Sequence, residues 1–134
     1  MYLKPLAASL GIAVVVVACA QTPTAEGRVI YAENCVACHG SDGTGDGPLA
    51  GQLDIAPPDL KLISQRNGGV FPMADVLSTI DGYTRRTAGP IVMPEFGIDL
   101  QAGPLVYIDT GDGRRTPTPS RLFALAEYLR SIQE

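Results

Sequence analysis

The sequence has no tryptophan, a single histidine and only three cysteines among 134 residues. Basic side chains are also few, because 10 Lys and Arg stand against 14 Asp and Glu, which gives a net charge of -4. A chain without a basic excess lacks the electrostatic footprint of a nucleic-acid-binding protein. With one histidine, it also shows no nucleophile paired with a base. Its length indicates one small acidic domain.

The first 18 residues have the outline of a secretory signal. Lys4 precedes an apolar run from Leu6 to Ala18, which is shorter than the roughly 20 residues that a membrane span needs. The residues Val16-Val17-Ala18-Cys19 resemble a bacterial lipobox, so we predict that Cys19 carries a lipid that attaches the chain to a membrane. An ordinary signal peptide and a retained N-terminal anchor are the alternatives. All three place the remaining chain outside the cytoplasm, and we predict that it is exported to the periplasm and anchored to a membrane by its lipid.

The predicted organisation is a lipoprotein signal peptide over residues 1–18, a lipid-anchored linker over 19–26 and one folded domain over 27–134. The whole chain contains 15 Gly and 11 Pro, and most of them fall within the folded domain. Such a composition loses much conformational entropy on folding and leaves few long regular elements. We therefore expect the domain to need a cross-link or a cofactor, and Cys35 and Cys38 are the cysteines left to provide it.

Hydrophobic periodicity predicts an all-α fold with about three main helices and long irregular loops. Its predicted parts are a helix over residues 25–38, an irregular surface loop from Gly40 to Pro58, a helical turn over 59–65, a helix over 74–81, an extended arm with a turn from Leu105, and a final helix with Ser120 as its N-cap.

The stretch ENCVACHG places Cys35, Cys38 and His39 at the end of the first predicted helix. Cysteines at positions i and i+3 lie on one face of a helix, so both thiols can reach the two vinyl groups along one edge of a haem. The imidazole that follows then falls beneath the porphyrin centre. The spacing is typical of covalent c-type haem attachment, with the histidine as proximal iron ligand.

Other interpretations of this motif each lack a part. A structural zinc site needs four ligands, and a thioredoxin-like pair opens a helix in a βαβ setting. A disulfide over three residues would close too small a loop to stabilise the domain much. The nearby DGTGDG imitates a calcium or phosphate loop, but Leu53 stands where the bidentate glutamate belongs and no strand precedes the glycines.

A six-coordinate iron needs a second ligand, and methionine is the natural candidate because no second histidine exists. Beyond Met1, the chain offers Met73 and Met93. Met73 begins a predicted helix, where an apolar packing role is expected. Met93 lies in GPIVMPEFG, where Pro90 and Pro94 stiffen the loop and would hold a sulfur atom at low entropic cost. The loop favours Met93 over Met73.

With these motifs the chain resembles the class I, single-haem cytochromes c of the bacterial periplasmic type, from Gly27 to about Ile132. In that family a glycine and an aromatic residue of the first helix pack against the last helix, and Gly27 and Tyr31 match them. Leu125 and Tyr128 match the partner helix.

The resemblance also implies site residues. Met93-Pro94-Glu95-Phe96 is similar to the methionine-ligand loop of the family, and a proline carbonyl accepts a hydrogen bond from the proximal imidazole, here from Pro57 or Pro58. Apart from the resemblance, arginine is suited to bidentate carboxylate binding and can pair with the haem propionates or be a solvated surface charge, and a tyrosine can bond a propionate or pack on its helix. The candidates are Arg66, Arg85, Arg86 and Tyr83.

The implied function is electron transfer by one haem c, attached through Cys35 and Cys38 and ligated by His39 and Met93, with redox proteins as partners. No substrate turnover is expected. One alternative is a haem-bearing subunit of a larger periplasmic or membrane oxidoreductase, which the insertion over residues 105–119 would contact. A haem sensor or peroxidase-like enzyme is a further alternative, and it would require an open sixth position on the iron.

Overall fold

The structure is a computed structural model that describes residues 22–83, 93–111 and 113–134. The predicted signal peptide, Cys19, Arg85, Arg86 and Pro90 lie outside the described residues. Within the described ranges, no helix is both long and apolar enough to cross a membrane.

Helix α1 spans Pro23–Asn34 and begins four residues before the predicted domain boundary at residue 27. The side chain of Thr22 accepts a hydrogen bond from the Ala25 amide at 3.3 Å, and Pro23 occupies the first helical position, where a missing N–H costs nothing. Residues 23–26, which the sequence placed in the linker, therefore form the first turn of the helix. The predicted helix over 25–38 is interrupted at Cys35 and continues as the short α2, Val36–His39.

The remaining helices follow the predicted order. A 3-10 turn at Leu60–Leu62 leads into α3, Ile63–Arg66, where a helical turn was predicted. Helix α4 covers Met73–Asp81 and confirms the helix predicted over 74–81. Two short elements were not predicted, namely a 3-10 turn at Ala50–Gln52 and α5 at Gly97–Leu100.

Helix α6 spans Ser120–Ser131 and confirms the predicted final helix, although its cap differs. Pro119 is the N-cap residue, and Ser120 is already the first helical residue, with no side-chain cap. The Ser120 amide instead donates to the Pro104 carbonyl at 2.9 Å, which fixes the start of α6 to the preceding loop. The prediction of Ser120 as N-cap was therefore wrong by one position.

A two-stranded antiparallel hairpin precedes α6. Strand β1, Leu105–Asp109, pairs with β2, Arg115–Pro119, so the predicted extended arm has a partner strand and the fold is mostly rather than wholly α-helical. Pro117 lies opposite Tyr107, and proline cannot donate to a ladder, so its nitrogen must face away from β1. Leu105 and Tyr107 are 58% and 60% exposed on the outer face.

The core forms where α1 crosses α6. Ile30 and Tyr31 of α1 and Leu125 of α6 are almost fully buried, and the Tyr31 and Tyr128 rings lie 5.2 Å apart. Gly27 lies at the closest approach, because a Cβ atom there would collide with the backbone carbonyl of Ala124. This crossing confirms the helix packing that the resemblance implied.

The residues that follow α6 bond to the 3-10 turn and α3 in the middle of the chain. The Gln133 side chain accepts a hydrogen bond from the Ser64 amide and donates to the Leu60 carbonyl, both at 2.8 Å. Lys61 Nζ and Glu134 Oε1 form an ion pair at 2.6 Å. Because the 3-10 turn and α3 line the cavity described below, these contacts fix one of its walls.

Candidate functional site

An apolar cavity of about 380 Å³ opens between the two terminal helices, α4 and the loops that join them. Its volume is in the range of small-molecule and cofactor sites, which are roughly 300–1,000 Å³. Every residue predicted as a cofactor ligand contributes to its wall. Among the lining residues are Cys35, Cys38, His39, Met93, Val76 and Leu129.

Cys35 and Cys38 form no disulfide, and each is half-buried; Cys35 lies at the break between α1 and α2, and Cys38 lies within α2. Burial raises the pKa of Cys35 to about 11, and the nearby Cys38 adds to this shift. A redox-active or metal-binding cysteine needs a lowered pKa, because the thiolate is the reactive form. The environment of Cys35 therefore does not favour the thioredoxin-like interpretation.

His39 ends α2 and is only 9% exposed. Burial lowers the pKa of its imidazole, and the nearby backbone carbonyl of Pro58 acts in the opposite direction. The Nδ1 atom makes no hydrogen bond of normal geometry. The Pro58 carbonyl therefore lies beside the ring without a well-aligned bond to Nδ1. Of the two prolines that the resemblance named, Pro58 is the one that acts on this ring.

The loop after His39 caps the helix that carries the motif. Three of its amides donate to the last carbonyls of α2: Gly45 to His39 at 2.8 Å, Gly47 to Cys38 at 3.1 Å, and Leu49 to Ala37 at 2.8 Å. These carbonyls would otherwise be unsatisfied at a helix end. The sequence predicted only an irregular surface loop here, and its glycine density was the one signal of the close approach.

Tyr31 connects the core to the same motif. Its hydroxyl donates to the Gly40 carbonyl at 2.7 Å, and its ring lines the cavity. Burial raises the pKa of Tyr31, so the hydroxyl keeps the proton that this hydrogen bond requires. The residue was matched to the family for helix packing alone, and its contact with the motif was not predicted.

The two candidate methionines lie in different places. Met93 is half-buried and lines the cavity together with His39. Met73 lines a second cavity instead, next to Phe71 and Phe123. Among the residues that the structure describes, Met93 is therefore the methionine whose side chain is placed with the imidazole.

The donor set fits a haem. Two thiols, an imidazole and a thioether surround one apolar space, and the buried His39 ring has a nitrogen without a well-formed bond. These are the attachment groups and axial ligands that c-type haem uses. In the described part of the chain, no group of three or more His, Cys, Asp or Glu side chains gathers into a metal site.

The other predicted residues divide between the wall and the surface. Arg66 lines the cavity, and its guanidinium donates to the Asp59 carbonyl at 2.7 Å. Tyr83 is 86% exposed and is not a lining residue. Asp75 and Thr79 of α4 also line the cavity, although nothing in the sequence singled them out.

Comparison with protein families gives a match to Cytochrome c over residues 24–99. The match covers more than half of the chain and includes the motif, α4 and Met93. A comparison with curated proteins finds no match. The family is one of electron carriers that hold haem c covalently and exchange electrons with other proteins, and this chain belongs to it.

Proposed function

We propose that this chain is an electron carrier in which Cys35 and Cys38 attach one haem c, with His39 and Met93 as the axial ligands of its iron. A bound haem supplies one-electron exchange between Fe(II) and Fe(III). The observation that carries the proposal is that all four side chains line one apolar cavity, whereas Met73 lines another.

The chain contributes ligation and a dry environment. Val76, Ile80 and Leu125 are buried beside the cavity and exclude water from its floor. Thioether ligation opposite an imidazole raises the reduction potential, and burial in a low dielectric adds to this tuning. These residues set the potential and perform no substrate chemistry.

The test of ligation is Met93→Ala in the haem-loaded protein. We expect loss of the weak red absorption band that sulfur ligation gives in the ferric state, and a lower reduction potential, because the thioether no longer stabilises Fe(II). Absorption spectra and a redox titration measure both. Met73→Ala is the matched control and should leave both unchanged.

Two results would contradict the proposed site. Loss of the band in Met73→Ala alone would assign the ligand to Met73. Rapid carbon monoxide binding by the reduced wild-type protein would show an open sixth position and favour the sensor or enzyme alternative.

We also propose that the protein is exported to the periplasm and anchored by a lipid on Cys19. The support is the lipobox-like sequence before Cys19 and the start of α1 at Pro23, which leaves a tether of only a few residues. Wild-type cells supplied with labelled palmitate should yield labelled protein in the membrane fraction, and Cys19→Ala should yield none. Equal labelling of both forms would contradict the anchor.

The subunit alternative depends on the hairpin. Strands β1 and β2 lie beyond the family match at residues 24–99, and they expose Leu105 and Tyr107. Detergent extraction followed by gel filtration separates the two roles. A monomer carrying its own haem supports the carrier, and stable co-purification with an oxidoreductase that Tyr107→Ser disrupts supports the subunit.

A further inference from the structure

Gly45 lies between the backbone of His39 and the Pro57–Pro58 segment. Its amide donates to the His39 carbonyl at 2.8 Å, and its φ of +84° is in the left-handed region that favours glycine. A Cβ atom at this position would collide with the Pro57 carbonyl oxygen and lie 3.4 Å from the carbonyl carbon of Pro58. The absence of a side chain is therefore what lets the two segments approach.

The approach matters because Pro58 lies beside the His39 imidazole, whose Nδ1 atom is buried. The Leu60 amide donates to the Gly43 carbonyl at 2.7 Å. This bond also holds the residues after Pro58 against the glycine-rich loop that contains Gly45. Any side chain at Gly45 would push Pro57 and Pro58 away from His39, while the bond between Leu60 and Gly43 holds the residues that follow the two prolines. The Pro58 carbonyl is therefore the group that would be displaced from the imidazole.

We propose that Gly45 is a positioning residue for the iron ligand, which sets how closely the Pro58 carbonyl approaches the His39 ring. This inference rests on the proposed function of His39. An acceptor on the far nitrogen of a ligating imidazole fixes the orientation of the ring and raises its basicity. A more basic ligand favours Fe(III), so a closely held Pro58 lowers the reduction potential and a displaced one raises it.

The experiment compares Gly45→Ala with Gly68→Ala in the intact, haem-loaded protein. Gly68 has a similar φ of +68°, but a Cβ atom there would meet nothing within 4 Å. The control therefore reproduces the backbone strain without the collision. We expect a higher reduction potential in Gly45→Ala and no shift in Gly68→Ala.

The second readout is the proton on His39 Nδ1, observed by NMR in the reduced state. We expect it to exchange with solvent several-fold faster in Gly45→Ala, because the displaced Pro58 carbonyl no longer lies beside Nδ1 and water can reach it. In Gly68→Ala its exchange should match that of the wild type. A purely structural role for Gly45 would lower stability without moving the potential or this resonance.

Pro57→Gly covers the case in which Gly45→Ala does not fold. It keeps the Pro57 carbonyl and removes the ring that fixes the segment, so both readouts should shift in the same direction. Wild-type values of both in either folded variant would overturn the positioning role. A wild-type spectrum without strongly haem-shifted His39 ring protons would instead overturn His39 ligation, which separates failure of this inference from failure of the proposed function.

Discussion

The double variant Cys35→Ala/Cys38→Ala is expected to be a largely unfolded, protease-sensitive polypeptide. The reason is the cavity of about 380 Å³, which the terminal helices, α4 and the loops surround. At roughly 24 cal/mol per Å³, an empty cavity of this size costs about 9 kcal/mol, as an upper figure because water can enter its mouth. Small domains have a total stability of only about 5–15 kcal/mol. The haem is therefore part of the core of this protein as well as its redox centre.

The measurements are far-UV circular dichroism and amide exchange on the purified double variant. The single variant Cys35→Ala is the matched control, because Cys38 and His39 can still hold the haem, and it should retain most of its helix content. Native-like helix content in the double variant, with slow exchange in α6, would show that the polypeptide has a sufficient core of its own.

Gly27→Ala is expected to destabilise the haem-loaded protein by about 1–3 kcal/mol or more, the usual cost of overpacking. Helix propensity alone predicts the opposite sign, since alanine in a helix interior is favoured over glycine by about 0.5–1 kcal/mol. The collision decides the outcome, because the new Cβ atom meets the Ala124 backbone carbonyl, which cannot rotate away as a side chain can. Denaturant unfolding measures the free energy of unfolding.

The control for Gly27→Ala is Ala32→Gly, on an exposed position of the same helix. It should destabilise the protein by about 1 kcal/mol through propensity alone. A Gly27→Ala protein that is more stable than the wild type would show that α1 and α6 can separate at low cost.

The helices were predictable where the local sequence alone determines where a helix begins and ends. In α4, Val76, Leu77 and Ile80 lie on one face and Gly82 follows the last residue, so periodicity and the stop signal agree. The end of α1 was not predictable in this way. Helical periodicity continues through Cys35, and the break becomes visible only with the loop that caps α2 from residues 45–49.

Contacts between distant residues explain most of the other differences. Gln133 follows the last helix, where its sequence position suggests only a polar chain end. Its side chain nevertheless forms hydrogen bonds with Leu60 and Ser64, about 70 positions earlier. In β2, the prolines at 117 and 119 argue against a strand by propensity, but an edge strand tolerates them when their nitrogens face outward. No local pattern encodes either arrangement.

The candidate site was more predictable than its surroundings. The spacing of Cys35, Cys38 and His39 indicated haem attachment without any structure, because covalent chemistry imposes a fixed local geometry. The preference for Met93 over Met73 came from loop stiffness, and its place in the cavity supports that preference. The places of Asp75 and Thr79 in the cavity wall and of Gly45 against Pro57 arise only when separate segments meet.

The crossing of α1 and α6 also fixes the order in which the chain can fold. Gly27 and Ala124 are 97 positions apart, so bringing them together closes most of the folded chain into one loop, at an entropic cost of about 4 kcal/mol beyond the constant for closure. A chain that emerges N-terminus first, from a ribosome or through a channel, cannot pair Tyr31 with Tyr128 until its last helix is out. Its cysteine motif therefore precedes the closure of the core for nearly the whole of synthesis, and the slow, high-contact-order step comes last.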